Sequence, residues 1–427
     1  MDRKTYDAYI KILEEELVPA MGCTEPVAIA YAGALARRAL GTEPSEVTVA
    51  VSGNILKNVK SVIVPGTGGL RGISAAAAAG IVAGDADSEL RILSTIGADK
   101  LPEIADFLAR IPIKVEKTTS GCIFDICITL KCGEDNAFVR IEGYHTNVVS
   151  VKKNGVTLVS GEEGGVAISR QTDRGLLSVK RIVEFADEVA VDDVREIIER
   201  QIKYNTAIAE EGLRGSYGAS VGKTLLSSFG DGVHNMAKAF AAAGSDARMN
   251  GCELPVVIVS GSGNQGLTAS LPVIVYARHH GFSHERLIRS LVVSNLLTIH
   301  LKTGIGRLSA YCGAVSAGAG AGAGVCYLLG GRYEEIAHTL VNAIAIDSGI
   351  ICDGAKSSCA AKIASAVDAG LLGMQMARCG ECFRDGDGIV EGVESTIENV
   401  GTVARVGMKE TDEEIIKLMI RNIEASL

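Results

Sequence analysis

The pattern of apolar residues changes near Ser178, and this change constrains the fold more than any other feature of the chain. Before it, short segments alternate between apolar and polar residues, as strands with one buried face do. After it, apolar residues recur at helical spacing in long segments separated by glycine-rich loops. We therefore predict an α+β fold, with a mixed or antiparallel sheet in an N-terminal domain of residues 1–177 and a mainly helical domain of residues 178–427.

The N-terminal domain combines helix and strand patterns with two polar, glycine-rich loops around one strand. Helices are predicted over Tyr6–Leu17, Val27–Leu40, Arg71–Ala83 and Ala98–Leu108. Strands are predicted over Glu46–Val51, Val59–Val64, Lys114–Lys131 and Ala137–Lys153. The two loops are Ser52–Asn58 and Pro65–Gly69.

The C-terminal domain is predicted to consist mainly of helices. They cover Val179–Asp187, Val191–Gly212, Ser220–Ala243, Leu267–His280, His284–Leu301, Ala314–Leu329, Tyr333–Ile346, Ala360–Ala377 and Asp412–Leu427. Glycine and alanine alternate over Ala317–Gly324, which favours a helix with a very close neighbour over a binding loop.

Composition narrows the class of partner. With 4% aromatic residues and no tryptophan, the chain lacks the side chains that stack on nucleic-acid bases. A net charge of -9 argues against nucleic acid and against anionic membranes, because both bind basic surfaces. No apolar run is long and unbroken enough to span a membrane. We therefore expect a small-molecule partner, and a homodimer remains open.

The cysteines indicate the cell compartment. There are 11 of them, an odd number, and the chain opens on the polar Met1–Thr5 rather than a secretory signal. We expect a reduced, cytoplasmic protein with free thiols. Cys379 and Cys382 form the only close C-x-x-C pair. A redox or zinc half-site role is disfavoured there, since no second pair follows.

Cys352 and Cys359 lie seven positions apart in the small-residue segment Gly349–Lys362. Small neighbours leave the backbone free to direct sulfur inward. Zinc sites usually pair ligands two to four residues apart, so this wider spacing predicts a different metal site with a ligand from elsewhere. Cys312 is the candidate for that third ligand.

Cys23 lies in the tight loop Pro19–Val27, directly before a predicted helix. Pro26 suits the first turn, and Thr24 suits the cap. The N–H groups and dipole at a helix start favour a thiolate over a thiol. Cys23 is therefore a candidate base or nucleophile.

Gly261–Gly266 follows the apolar run Pro255–Ser260 and matches a dinucleotide fingerprint only weakly, since no β-α-β pattern follows. A carboxylate site at the start of the helix from Leu267 and a purely structural turn both remain open. Of the histidines, His145 and His234 are kept as pocket candidates because asparagine lies close to each.

Several motifs together resemble one family. They are Met21–Pro26, Ser52–Asn58, Val64–Thr67, Gly261–Gly266, Cys312 and Cys352–Lys362. The chain resembles L-cysteine desulfidase and its bacterial relatives over nearly its whole length. That family is itself similar, around its cluster cysteines, to the alpha part of the iron-sulfur L-serine dehydratases.

The resemblance implies a cofactor and a reaction. Cys312, Cys352 and Cys359 would hold a [4Fe-4S] cluster with one iron left open as Lewis acid, and Cys23 would accept a proton. The implied reaction is β-elimination of L-cysteine to pyruvate, ammonia and sulfide without pyridoxal phosphate. The active site would lie between the two domains, and loss of the cluster to air would leave free thiols around an empty pocket.

Polar residues near Cys23 and in the glycine-rich turns are the candidates for binding the substrate. We expect the substrate's carboxylate and amino group to be bound by polar residues of the loops near Cys23 and the glycine-rich turns, namely Thr24, Ser52, Asn54, Thr67, Asn264 and Gln265. An L-serine dehydratase acting by the same chemistry is the alternative enzyme. A non-catalytic cluster or metabolite sensor is the alternative of another class, disfavoured because no basic helix-turn-helix appears.

Overall fold

The computed structural model describes residues 1–161, 172–306 and 309–424. It confirms the α+β fold, with the strands of the main sheet in the N-terminal half and a mainly helical C-terminal half. The division into domains at residue 177 stays a prediction. Among the described helices, none combines the length and the hydrophobicity that crossing a bilayer requires.

The N-terminal half is built on a six-stranded mixed sheet. The strands are β2 (Glu46–Val51), β3 (Ile113–Lys117), β4 (Asp125–Cys132), β5 (Asp135–Glu142), β6 (Val148–Lys153) and β7 (Val156–Ser160). Their order in the sheet is β3-β2-β4-β5-β6-β7. Strand β2 pairs in parallel with β3 and antiparallel with β4, and the remaining neighbours are antiparallel.

Helices cover the buried face of this sheet. They are α2 (Thr24–Leu40), α3 (Gly53–Val59), α4 (Gly72–Ala83) and α5 (Leu101–Arg110). Alternate residues of β2, such as Val47 and Val49, point into the same core as the apolar residues of α2. Helices α2 and α4 touch closely, since a Cβ on Gly80 would lie 1.9 Å from the Ala30 carbonyl oxygen.

The helical half surrounds the helix α12 (Gly313–Leu328), every residue of which after Gly313 is buried. The helices are α6 (Val179–Glu188), α7 (Val191–Arg214), α8 (Val221–Phe229), α9 (Val233–Met249), α10 (Gly263–His280), α11 (His284–Ile305), α12 (Gly313–Leu328), α13 (Tyr333–Ile346), α14 (Cys359–Arg378), α15 (Val393–Thr402) and α16 (Lys409–Glu424). The close neighbour predicted for Ala317–Gly324 is confirmed as α14. A Cβ on Gly318 would lie 2.2 Å from the Ala366 carbonyl oxygen.

Two features join the halves. The short strand β1 (Pro19–Met21) pairs antiparallel with β8 (Pro255–Val257), which fixes the Cys23 loop against the start of α10. Helix α1 (Arg3–Glu16) belongs to the N-terminal half in sequence, but its buried residues pack into the core of the helical half.

Some predicted elements were wrong. Ser52–Asn58 is not a loop, because Ser52 caps helix α3 and its hydroxyl accepts from the Ile55 N–H at 3.4 Å. Val59–Val64 is not a strand, since its first residue ends α3 and only an isolated bridge forms at Ile63.

Other predicted elements had wrong boundaries. The long strands Lys114–Lys131 and Ala137–Lys153 each contain a loop, so the first covers β3 and β4 and the second covers β5 and β6. The helix Ser220–Ala243 divides into α8 and α9 at Gly230, whose φ of 79° ends a helix. Helix α15 was missed, and residues 425–427 of the last predicted helix lie outside the described residues.

Candidate functional site

A cavity of about 120 Å³ lies where the two halves meet. All four cysteines singled out in the sequence line it: Cys23, Cys312, Cys352 and Cys359. The other polar residues in its wall are Glu25, Lys57, Asn58, Arg248, Ser260, Ser262, Asn264, Gln265, Lys302, Ser309 and Tyr311. The fold thus brings together side chains that are far apart in the sequence.

Four long helices begin at this cavity. Cys23 is the N-cap of α2, Ser262 the N-cap of α10 and Cys312 the N-cap of α12, while Cys359 is the first residue of α14. The first N–H groups of a helix have no partner within it, and its dipole is positive there. Convergence of these helix starts favours negatively charged groups in the cavity.

The segments that carry Cys312 and Cys352 run beside each other. The Cys312 N–H donates to the Ile350 carbonyl at 2.9 Å, and the Cys352 N–H donates to the Ala310 carbonyl at 2.6 Å. Gly354 follows with a φ of 97°, and a Cβ there would lie 2.1 Å from the Lys57 carbonyl oxygen. A glycine is therefore required where this loop passes α3.

Charges around these thiols favour a thiolate at Cys352. A hydrogen bond from Cys312 and the positive charges of Lys57 and Lys302 lower the pKa of Cys352 to about 5, although burial opposes this. The same hydrogen bond, followed by burial, raises the pKa of Cys312. Burial lowers the pKa of Lys302 to about 8.

The donor set suits a soft metal centre. Within the described ranges, no group of three or more histidine, cysteine or acidic side chains already stands at the geometry of a bound metal ion. The chemistry nevertheless fits, because three thiols line one cavity next to two buried lysines, and thiolates are the ligands of iron-sulfur clusters. Cys312, Cys352 and Cys359 are thus the residues that could hold such a group.

Cys23 is the N-cap of α2, rather than Thr24, and its side chain is 4% exposed. Its Sγ lies 2.9 Å from Oε2 of Glu25. Burial and the charge of Glu25 raise the pKa of the Cys23 thiol well above its usual value, although Arg248 opposes them. The expectation that the helix start favours a thiolate is therefore wrong, because burial and the neighbouring carboxylate outweigh the helix dipole.

Glu25 carries the negative charge of this pair. Its Oε1 accepts from Asn58 Nδ2 at 3.0 Å, and its Oε2 also accepts from Thr24 Oγ1 at 3.3 Å. Burial opposes ionisation, but the charge of His145 and the Cys23 hydrogen bond together lower the pKa of Glu25. The proton thus resides on Cys23 sulfur, next to an ionised acceptor.

Arg248 lies in the last turn of α9, lines the cavity and is 6% exposed. Its Nη1 donates to Asn264 Oδ1 at 3.1 Å. Its Nε has no hydrogen-bond partner, and neither does Oε1 of the adjacent Gln265. Across the described parts of the chain, no carboxylate lies within ion-pair distance of this arginine.

The predicted substrate contacts divide into two sets. Asn264 and Gln265 line the cavity, on a helix that begins at Gly263 rather than Leu267. Ser52 and Asn54 instead line an adjoining groove of about 760 Å³ that shares Glu25, Ser260, Gly261 and Ser309 with the cavity.

The remaining candidates lie off the cavity. Thr24 donates to Glu25 but is absent from the cavity wall, and the Thr67 hydroxyl donates to the Val64 carbonyl at 2.6 Å. His145 lines the adjoining groove, whereas His234 pairs with Asp368 at 2.8 Å. Cys379 and Cys382 are absent from the cavity wall.

Sequence reasoning missed the charged residues of the site. These are Glu25, Lys57, Arg248 and Lys302, together with the neutral Asn58. Glu25 lies within the Met21–Pro26 motif, and Lys57 and Asn58 lie within the Ser52–Asn58 motif, so these three could have been found. Arg248 and Lys302 lie in the last turns of α9 and α11, where a basic residue ordinarily faces solvent, so local sequence carries no signal for their burial.

Comparison with known proteins identifies relatives over nearly the whole chain. The family model described as serine dehydratase alpha chain matches residues 87–417. A UPF0597 protein of Desulfitobacterium hafniense is 56% identical over 416 residues, which cover 97% of each chain. UPF0597 proteins of Lachnoclostridium phytofermentans and Treponema denticola are 51% and 47% identical, over 97% and 99% of this chain and 100% of each relative.

Proposed function

The chain belongs to the serine dehydratase alpha chain family, and from this membership we propose that it is a lyase that removes the β-substituent of a small L-amino acid. L-cysteine is the proposed substrate, with pyruvate, ammonia and sulfide as products. The resemblance of the Cys23 and Cys352–Lys362 motifs to cysteine desulfidase supports this choice. L-serine is the second candidate, favoured by the description of the family model.

One observation carries the proposal. Cys23, with its carboxylate partner Glu25, lines the same small cavity as Cys312, Cys352 and Cys359. A β-elimination needs a proton acceptor near Cα and an electrophile near the leaving group of the same molecule. A small substrate in this cavity of about 120 Å³ would lie close to both sets of residues.

Cys312, Cys352 and Cys359 would hold an iron-sulfur cluster. When bound, such a cluster supplies a Lewis acid that makes the Cα proton more acidic and the departing group a better leaving group. At Cys352, the hydrogen bond from Cys312 and the charges of Lys57 and Lys302 lower the pKa to about 5, which favours the thiolate form that a cluster ligand requires.

The Cys23–Glu25 pair would take the proton from Cα. Because Cys23 rests as a thiol, its sulfur accepts a proton only if its own proton leaves at the same time. The 2.9 Å contact to Glu25 Oε2 provides the destination. One proton arrives at Sγ from Cα while another passes from Sγ to Oε2, so a free thiolate never accumulates in the buried site.

The bonds balance without an external oxidant or reductant. The Cα–H and Cβ–S bonds break, a Cα–Cβ double bond forms, and sulfide leaves with a proton. The aminoacrylate released tautomerises to an imine, which one water hydrolyses to pyruvate and ammonia. With L-serine, the Cβ–O bond breaks and water leaves in place of sulfide.

Pyruvate formation from each amino acid tests the proposal. Anaerobically reconstituted protein is incubated with L-cysteine or L-serine, and pyruvate, ammonia and sulfide are measured. We expect equal amounts of pyruvate and ammonia, with matching sulfide from L-cysteine. Pyruvate from L-serine alone would identify a serine dehydratase. Absence of pyruvate from both substrates with the cluster intact would contradict elimination and favour a sensor.

A further inference from the structure

The lining of the cavity carries more positive than negative charge. Lys57, Arg248 and Lys302 face one carboxylate of the described lining, Glu25. Lys57 is already paired with Asp412 of α16. The oxygens of Glu25 are engaged by Cys23, Thr24 and Asn58, and none lies within ion-pair distance of Arg248. The guanidinium of Arg248 therefore has no ion-pair partner among the described residues, and the charge of Glu25 acts on it only from beyond ion-pair distance.

Such a group needs a partner, because an unpaired buried charge is costly. Two residues of the cavity wall carry an unsatisfied polar atom, Nε of Arg248 and Oε1 of Gln265, and these residues are 6% and 5% exposed. Asn264 Oδ1 holds Nη1 at 3.1 Å, so the guanidinium is fixed before any ligand arrives. A planar, fixed guanidinium is matched to a carboxylate, which it binds through two hydrogen bonds.

The start of α10 adds donors at the same place. N–H groups of a first helical turn have no partner within the helix, and Gly263 and Asn264 occupy that turn. Gly263 also makes room for the guanidinium, because a Cβ there would lie 2.3 Å from Arg248 Nε. A helix start, a buried guanidinium and a glycine that allows their contact form one anion site.

We propose that Arg248 binds the α-carboxylate of the substrate, with the first turn of α10 as the second set of donors. The assignment rests on the proposed function in taking the ligand to be an amino acid. Arg248 then determines specificity, since amines and carboxamides of the same shape lack the negative charge. The held carboxylate keeps Cα near Cys23, which lines the same cavity.

Binding of L-alanine tests this assignment without turnover, because L-alanine has the carboxylate and amino group but no leaving group. Its affinity and that of L-alaninamide are measured by calorimetry on reconstituted wild type, Arg248→Lys and Arg248→Gln. We expect Arg248→Gln to weaken L-alanine binding about 10- to 100-fold, as loss of hydrogen bonds between charged groups does. L-alaninamide binding should stay weak and unchanged, and Arg248→Lys should be intermediate.

Two further variants separate binding from folding. Arg278→Gln makes the same substitution at an arginine whose side chain is 51% exposed, and it should leave L-alanine affinity unchanged. Gly263→Ala keeps the charge but displaces the guanidinium, so it should weaken L-alanine binding even if Arg248→Gln does not fold.

The outcomes distinguish this assignment from the proposed function. The assignment would be overturned if Arg248→Gln bound L-alanine with wild-type affinity. If Arg248→Gln does not fold, wild-type affinity for L-alanine in Gly263→Ala would overturn it instead. Equal wild-type affinity for L-alanine and L-alaninamide would also overturn it. Arg248-dependent binding of L-alanine in a protein that forms no pyruvate would support the carboxylate site and contradict the elimination reaction.

Discussion

Replacing Glu25 by glutamine separates two ways in which Cys23 could act. The carboxylate lies 2.9 Å from the Cys23 sulfur, and its charge helps burial to raise the pKa of that thiol. Glu25→Gln removes the charge but nearly preserves the shape. The pKa of Cys23 should therefore fall, which increases the fraction of thiolate at any given pH.

The two mechanisms then predict opposite results. If a lone thiolate were the base, turnover would hold or increase as the thiol became more acidic. If Glu25 takes the thiol proton, the step loses its acceptor, and a positioned acid–base group contributes about 10²- to 10⁴-fold. At 1.36 kcal/mol for each tenfold change, this corresponds to about 3–5 kcal/mol of activation free energy. We expect a decrease in kcat of that size.

The assay measures pyruvate released from L-cysteine by anaerobically reconstituted wild type and Glu25→Gln at matched iron content. Glu394→Gln is the control, because that carboxylate accepts from His300 and from the Val179 N–H, each at 2.7 Å, and is absent from the cavity wall. The Glu394→Gln variant should be less stable than wild type but should form pyruvate at the wild-type rate. Unchanged or increased turnover in Glu25→Gln would refute the role of Glu25 as proton acceptor.

Two predictions concern stability. Gly354→Ala combines a φ of 97° with a Cβ 2.1 Å from a backbone oxygen, so it should lower the free energy of unfolding by at least about 2 kcal/mol. Gly230→Ala is the matched control, because Gly230 also has a positive φ but a Cβ there would meet no atom within 4 Å. An equal loss of unfolding free energy in the two variants, measured by denaturant titration, would contradict the role of the backbone contact. Burial raises the pKa of Asp246 to about 6, so ionisation destabilises the fold as pH rises from about 4 to 6. Asp246→Asn should raise the free energy of unfolding at pH 7.5 by up to about 3 kcal/mol, which is measured as a higher Tm, and should change it little near pH 4. An equal rise in Tm at both pH values would contradict this role of Asp246.

Most of the fold could be predicted because its signals are local. Helical periodicity located the long helices, and the glycine–alanine alternation of Ala317–Gly324 indicated the close contact with α14. Helix α3 was misread because Ser52 and Gly53 are typical of loops. In the structure these residues are the cap and first position of a seven-residue helix, whose apolar residues continue into the run read as a strand.

The candidate site was predictable where it depends on residue type. Small neighbouring residues singled out Cys352 and Cys359, the need for a third ligand singled out Cys312, and a place before a predicted helix singled out Cys23. All four line one cavity. Arg248 and Lys302 could not be found in this way, because their burial depends on how distant helices pack. The protonated state of Cys23 was likewise hidden, since it depends on the depth of the cavity and on Glu25.

We propose two separate roles for the cysteines, in which Cys23 handles the proton while Cys312, Cys352 and Cys359 hold the cluster. The most direct test is pyruvate formed per bound iron by anaerobically prepared Cys23→Ser. We predict the iron content and visible absorption of wild type with no pyruvate from either amino acid. Wild-type turnover in this variant would remove Cys23 from the mechanism, and loss of its iron would contradict the separation of the two roles.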